Sequence, residues 1–194
     1  VGFEGWLGGQ VVRSGLKPGM ITLHMVGAMA LLCLLLYVTF RTLNIQLPAT
    51  LPAPKRLAYL SGLLLAIICI QMLMGTQVRE AIDPYIKNDD GISRSAWIAN
   101  VGLIDHIHRS FTWVVIAVAA YFVYIVQKHA IRGLLKLTSH LSLTLILAQT
   151  AFGIALAYGG LPHIFQVLHL VTASVLICAV YTLWLILKNA QPMT

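Results

Sequence analysis

The chain contains, at residues 164–187, the sequence IFQVLHLVTASVLICAVYTLWLIL, which has one histidine, His169, and no Lys, Arg, Asp or Glu. An α-helix rises about 1.5 Å per residue, so about 20 apolar residues cross a bilayer core of about 30 Å. Because lipid cannot hydrogen-bond the backbone, such a segment must satisfy its own N–H and C=O groups. The stretch therefore predicts a membrane-spanning helix.

Four further apolar runs have the same character, and together they predict an all-α integral membrane protein. Hydrophobic residues make up 59% of the chain and charged residues 10%. In a soluble domain about half of the residues are apolar and about a quarter are charged. The predicted elements are a helical remnant at 1–14 and helices near 20–43, 57–80, 101–127, 134–158 and 164–188, with one long connection at 81–100.

The net charge of +7 comes from basic residues that flank the predicted helices. This distribution is typical of membrane topogenic signals, so we expect membrane lipid as a partner and no nucleic acid. All six acidic residues fall toward the opposite helix ends. We therefore expect the C-terminus inside and the 81–100 connection outside.

The three cysteines, Cys33, Cys69 and Cys178, all lie within apolar runs. Their surroundings favour small buried hydrophobic residues over a disulfide or a metal site. The chain has no Cys-x-x-Cys-His motif, which excludes a covalently attached c-type haem.

The sequence repeats itself. A displacement by 145 positions brings Gly8 onto Gly153 and His24 onto His169 without a gap. Further identities in this alignment are Gly15, Leu16, Leu23, Val26, Ala28 and Cys33 with Gly160, Leu161, Leu168, Val171, Ala173 and Cys178. A second match pairs Gln71-x-x-x-Gly75 with Gln149-x-x-x-Gly153. Duplicated halves are a common way to build membrane bundles.

The repeat predicts the domain organisation. Residues 1–45 are expected to end an N-terminal helical half, 46–56 to form a cytoplasmic linker, and 57–190 to form a complete C-terminal four-helix half. The fold class is therefore a four-helix transmembrane bundle plus the last helix or so of a preceding pseudo-symmetric half. Since the chain starts at Val1 within a segment too short to span, we expect residues to precede it.

Three histidines lie near the starts of predicted helices that run from outside to inside: His24, His108 and His169. Ionisable residues inside spanning helices are costly and are usually functional. In an up-and-down bundle the helices of His108 and His169 are diagonal, so both rings can hold one haem iron between them. A lone histidine on an apolar helix is more often a hydrogen-bonded core residue. Matched depth and the repeat favour iron ligands here.

Other polar residues have assigned or alternative roles. Arg109 and Arg79 are expected to bind haem propionates. His106, two residues before His108, is an alternative ligand on another helix face. The positions of His129, His140 and His163 indicate rim or turn residues rather than ligands.

Several segments resemble the haem A synthase family, in particular its C-terminal portion. Gly5-Trp6-Leu7-Gly8, Val11 to Leu16 and Leu23-His24-Met25 are similar to the end of its first half. Asp105 followed by His108-Arg109 is similar to the signature that opens its sixth helix. Gln149-x-x-x-Gly153 and Leu168-His169-Leu170 are similar to its last two helices.

The resemblance implies eight helices in two pseudo-symmetric halves and the oxidation of a methyl group of haem O to the formyl group of haem A. It implies a haem b held by His108 and His169, and a substrate haem O site that includes His24. The catalytic residues are expected in helices that precede this chain. The implied partners are haem O synthase and the terminal oxidase under assembly, and a homo-oligomer is compatible. The implied location is the bacterial cytoplasmic membrane or the mitochondrial inner membrane.

Two other interpretations stay open at the level of sequence. A b-type cytochrome subunit would carry one bis-histidine haem for electron transfer without its own catalytic centre. A transporter or scaffold would use the histidines for polar contacts only and would be colourless.

Overall fold

A computed structural model describes residues 1–43, 54–87 and 93–189, and these residues are almost entirely helical. The elements are α1 (Gly2–Arg13), α2 (Met20–Thr42), α3 (Pro54–Lys87), a 3-10 turn (Arg94–Ala96), α4 (Trp97–Asn100), α5 (Leu103–Lys128), α6 (Leu134–Tyr158) and α7 (His163–Lys188). Five of these helices, α2, α3, α5, α6 and α7, are long and apolar enough to cross a membrane. The predicted all-α membrane class is confirmed.

The connection expected at 81–100 is the main difference from the predicted elements. α3 does not end near residue 80 but continues to Lys87 through Pro84, and the segment after it forms the 3-10 turn and α4. α3 also begins at Pro54, because proline suits the first turn of a helix, where its missing N–H has no partner to lose. Most of the linker predicted at 46–56 lies outside the described residues.

Helices α3, α5, α6 and α7 form a ring in which each packs on two neighbours. α3 packs against α5 and α7, and α6 packs against the same two helices. α5 and α7 are therefore diagonal, as the up-and-down arrangement predicts. α2 lies outside this ring, against α1, α3 and α7.

The helix contacts are made by aliphatic residues and small polar ones. Leu64, Ala119, Ile146 and Val180 belong to the central buried cluster, which receives residues from every helix of the ring. Ser61, Thr138, Ser139 and Ser142 are also buried, and their hydroxyls donate to carbonyls one turn earlier in their own helices. Small residues that satisfy themselves in this way let membrane helices approach closely.

The turns after α1 and α6 have the same backbone conformation at repeat-related positions. Gly15 and Leu16 have φ of 64° and 61°, and Gly160 and Leu161 have φ of 69° and 58°. Leu16 N–H donates to the Val11 carbonyl at 3.1 Å, and Leu161 N–H donates to the Leu156 carbonyl at 3.3 Å. Such left-handed ends satisfy the last helical carbonyls. The repeat in sequence is thus also a repeat in structure.

Glu80 connects α3 to the start of α2. Its Oε1 accepts the Gly19 N–H at 2.9 Å and the Thr22 hydroxyl at 2.9 Å. Thr22 Oγ1 also lies 2.8 Å from Thr76 Oγ1 of α3. Because Gly19 has no side chain to cap α2, a carboxylate from another helix satisfies the exposed end of this helix.

We expect Glu80→Ala to loosen α2 from the bundle. Loss of two hydrogen bonds to a half-buried carboxylate should cost about 1–2 kcal/mol, which lowers Tm by about 2–8 °C in a chain of this size. Glu80→Gln keeps an acceptor and should cost less than half as much. Thermal unfolding of both variants in detergent measures this, and equal Tm in all three proteins would show that the contact is not stabilising.

Candidate functional site

His108 of α5 lies against a glycine of the neighbouring helix. A Cβ added to Gly75 of α3 would lie 3.2 Å from His108 Cε1 and 3.8 Å from its Nε2. A side chain at this position would push the imidazole back from the backbone of α3. The ring is half-buried, and its Nδ1 is fully buried without a hydrogen-bond partner.

His169 of α7 has the same arrangement with Gly153 of α6. A Cβ on Gly153 would lie 3.5 Å from His169 Cε1, and His169 Nδ1 is likewise buried without a partner. The main-chain carbonyls of Gln71 and Gln149 come near the rings of His108 and His169 but do not meet the geometry of a hydrogen bond. The two rings lie close enough to interact electrostatically. His108 and His169 thus lie on diagonal helices with their rings in electrostatic range, and their role as iron ligands stays a prediction.

His24 of α2 has the third such arrangement, with Gly8 of α1. A Cβ on Gly8 would lie 3.2 Å from His24 Cε1 and 3.4 Å from Nε2. In contrast to the other two rings, His24 Nδ1 has a partner: it lies 3.0 Å from Glu4 Oε2. Its Nε2 makes no such contact with the residues that the structure describes.

Two glutamines, Gln71 and Gln149, form a polar layer of the four-helix ring together with His108 and His169. Gln71 and Gln149 stand one turn from Gly75 and Gly153 on the diagonal helices α3 and α6. Gln71 Nε2 donates to the His108 carbonyl and to Thr112 Oγ1, both at 2.9 Å. Among the described residues, the buried side-chain N and O atoms without a partner are Gln71 Oε1, His108 Nδ1, Gln149 Oε1 and His169 Nδ1.

These four atoms belong to one histidine or glutamine on each helix of the ring. An unpaired buried polar atom costs about 1–3 kcal/mol, so such atoms are rare in native proteins and call for an explanation. Their concentration in this layer makes it the candidate functional site of the described residues.

Arg79 lies near the end of α3 and Arg109 follows His108 near the start of α5, and each pairs with an aspartate on its own helix. Arg79 pairs with Asp83, and Arg109 pairs with Asp105. Both aspartates are buried, at 7% and 4% exposure, while the arginine side chains remain more than a third exposed. The pairs hold both guanidinium groups in place with part of each facing outward.

The remaining histidines lie elsewhere. His106 is exposed, so the structure places His108, and not His106, against Gly75. His129 and His163 are exposed, and His140 contacts Gln127 and the Lys136 carbonyl at the other end of the bundle. The cysteines are free.

Sequence reasoning missed three features of the site. It did not predict that Gly8, Gly75 and Gly153 face the histidines, although the two Gln-x-x-x-Gly motifs carried the signal. It did not use the i,i+4 spacing that pairs each arginine with an aspartate. It also missed Glu4, which the repeat aligns with Gln149.

The fold and the site define a multi-pass helical membrane protein with an internal repeat and intramembrane histidines, each packed on a glycine. The family model COX15-CtaA, described as cytochrome oxidase assembly protein, matches residues 1–181. The chain therefore belongs to the COX15-CtaA family of cytochrome oxidase assembly proteins, which confirms the resemblance to haem A synthases. Comparison with curated proteins and with solved structures gives no match.

The glycine–histidine contact can be tested on α1, where Gly8 and Gly9 are adjacent. A Cβ on Gly9 meets nothing within 4 Å, whereas one on Gly8 meets His24. Gly8→Leu should overpack the contact at a cost of about 1–3 kcal/mol. Gly9→Leu should keep or raise stability through helix propensity. Thermal unfolding in detergent distinguishes the two, and an equal effect of both would contradict the packing described here.

Proposed function

We propose that the protein is a haem A synthase-like membrane oxidoreductase that oxidises a methyl group of haem O to a formyl group. The observation that carries the proposal is the pair formed by His108 and His169 on diagonal helices, each packed on a glycine, in a layer of unpartnered buried polar atoms. The family supports a role in cytochrome oxidase assembly.

The histidines of the four-helix ring are of the type that binds haem b. His108 and His169 would hold its iron through imidazole nitrogens, and Gln71 would fix the orientation of the α5 backbone at His108. Gly75 and Gly153 leave the rings the space they need. When bound, this haem would supply one-electron transfer, and the protein residues around it hold and orient it.

His24 would bind the substrate haem O in the preceding half. It has the glycine contact of the other two histidines, and it belongs to the helix that Glu80 connects to the C-terminal half. Arg79 and Arg109, held by buried aspartates, would meet anionic propionates of the haem b.

A b-type cytochrome subunit is the second candidate, since His108 and His169 alone suffice for electron transfer. It differs from the first proposal in the role of His24, which would then bind no substrate. Haem O synthase and the terminal oxidase are the proposed partners of the first function only.

The visible spectrum of the purified protein tests the haem site. The reduced-minus-oxidised difference spectrum should show a low-spin b-type signal in the wild type, and His108→Ala or His169→Ala should abolish it. His106→Ala and His163→Ala are matched controls that should leave it unchanged, because both side chains are exposed. A colourless, folded wild type would refute haem binding, and loss of the signal in His106→Ala alone would move the ligand to His106.

Turnover separates the two candidates. Cells that make haem O should accumulate haem A when they express the complete protein, and extracted haems can be identified by chromatography and mass. His24→Ala should prevent haem A formation while it leaves the b-type signal of the C-terminal half. Haem b without any haem A in the wild type would favour the electron-transfer subunit.

A further inference from the structure

Glu4 gives His24 an environment that His108 and His169 lack. Its carboxylate accepts a hydrogen bond from His24 Nδ1 at 3.0 Å, and the Glu4 side chain is only 15% exposed. The Nδ1 atoms of the other two histidines are buried without a partner. The three rings therefore share their glycine contact and differ in what faces Nδ1.

The repeat shows that this difference is specific to the first half. The alignment that places His24 on His169 also places Glu4 on Gln149 and Gly27 on Thr172. In the C-terminal half, a neutral amide thus stands where the first half has a carboxylate, and the amide oxygen of Gln149 has no partner.

Gly27 makes room for the carboxylate. A Cβ at this position of α2 would collide with Glu4 Oε1. The repeat-related Thr172 carries a β-branched side chain, so the position that leaves room for the carboxylate of Glu4 in its present place is not glycine beside Gln149. The two halves thus differ at two positions that face each other, Glu4 with Gly27 in the first half and Gln149 with Thr172 in the second. This indicates that the two differences depend on each other.

We propose that Glu4 is a positioning residue that makes His24 a stronger electron donor to a haem iron than His108 or His169. This inference rests on the proposed binding of haem at His24. A carboxylate that accepts the Nδ1 hydrogen fixes the tautomer, leaves Nε2 for the metal, and raises the basicity of the imidazole. A more basic ligand stabilises ferric over ferrous iron, which lowers the reduction potential of that haem.

The consequence is an electronic asymmetry between the two halves. A haem bound at His24 is held in its oxidised form more strongly than a haem b between His108 and His169. Transfer of an electron from the haem at His24 to the haem b between His108 and His169 is therefore thermodynamically favoured. This direction of transfer is the one that oxidation of a substrate at the His24 site requires.

The test uses the complete protein in detergent in a His169→Ala background, which removes the haem of the C-terminal half. Ferric haem b is the probe. The haem absorption that is lost when His24→Ala is added to this background is assigned to the His24 site. Glu4→Gln keeps the size of the side chain and removes its charge. Gly27→Ala keeps the charge and displaces the carboxylate, and Gly9→Ala is the control with open space around it.

We expect Glu4→Gln and Gly27→Ala to weaken ferric haem binding by about 10- to 100-fold, as for other partners of metal-binding histidines. Ferrous binding should change less, so the reduction potential should rise by about 59 mV for each tenfold change in the ratio of the two affinities. The iron–histidine stretching frequency of the ferrous form should fall in both variants. Gly9→Ala should match the background in all three measurements.

Two results would overturn the inference, and they are distinguishable. An unchanged potential and stretching frequency in Glu4→Gln, with haem still dependent on His24, would reduce Glu4 to a structural residue and leave the proposed function intact. Absence of any haem that depends on His24 would remove both the inference and the substrate site on which it rests.

Discussion

The close approach of paired helices at glycines is the constraint on which the rest of the site depends. Gly8, Gly75 and Gly153 each remove a Cβ from the place where an imidazole packs, at hypothetical Cβ distances of 3.2, 3.2 and 3.5 Å. A Cβ at Gly8 or Gly75 would crowd the facing imidazole, whereas one at Gly153 would only touch it, so the contact is tightest in the first two helix pairs. The contact recurs in three helix pairs, and the order of the helices in the ring then brings two of the rings together.

Around this constraint the bundle separates its polar groups by depth. Aliphatic side chains and self-satisfied serines fill the rest of the described core, as the cluster around Leu64 and the hydroxyls of Ser61 and Ser139 show. The histidine layer concentrates the unpartnered buried atoms of the described chain. Arginine–aspartate pairs lie near the end of α3 and the start of α5. An unpaired buried polar atom is costly, and here the four such atoms of the described residues share one layer.

The two halves are related by sequence and by backbone, but they are not chemically equivalent. Their turns share the left-handed Gly-Leu pair, and their last helices carry a histidine at the same position. The carboxylate of Glu4 and the space at Gly27 occur in the first half only. Duplication thus supplied one scaffold for two histidine sites, and substitution of two facing residues gave them different electrostatic surroundings.

The sequence by itself determined the membrane class, the five spanning helices and the repeat, and it singled out His24, His108 and His169, because hydropathy and spacing act locally along each helix. It misjudged the end of α3 and the helical turns at 94–100, since Pro84 within an exposed helix end does not stop it. Only the tertiary structure showed which glycine faces which histidine, that His108 rather than His106 turns inward, and that Glu4 reaches His24. These contacts depend on the rotation of each helix about its axis, which is set by packing against its neighbours and not by the helix's own sequence.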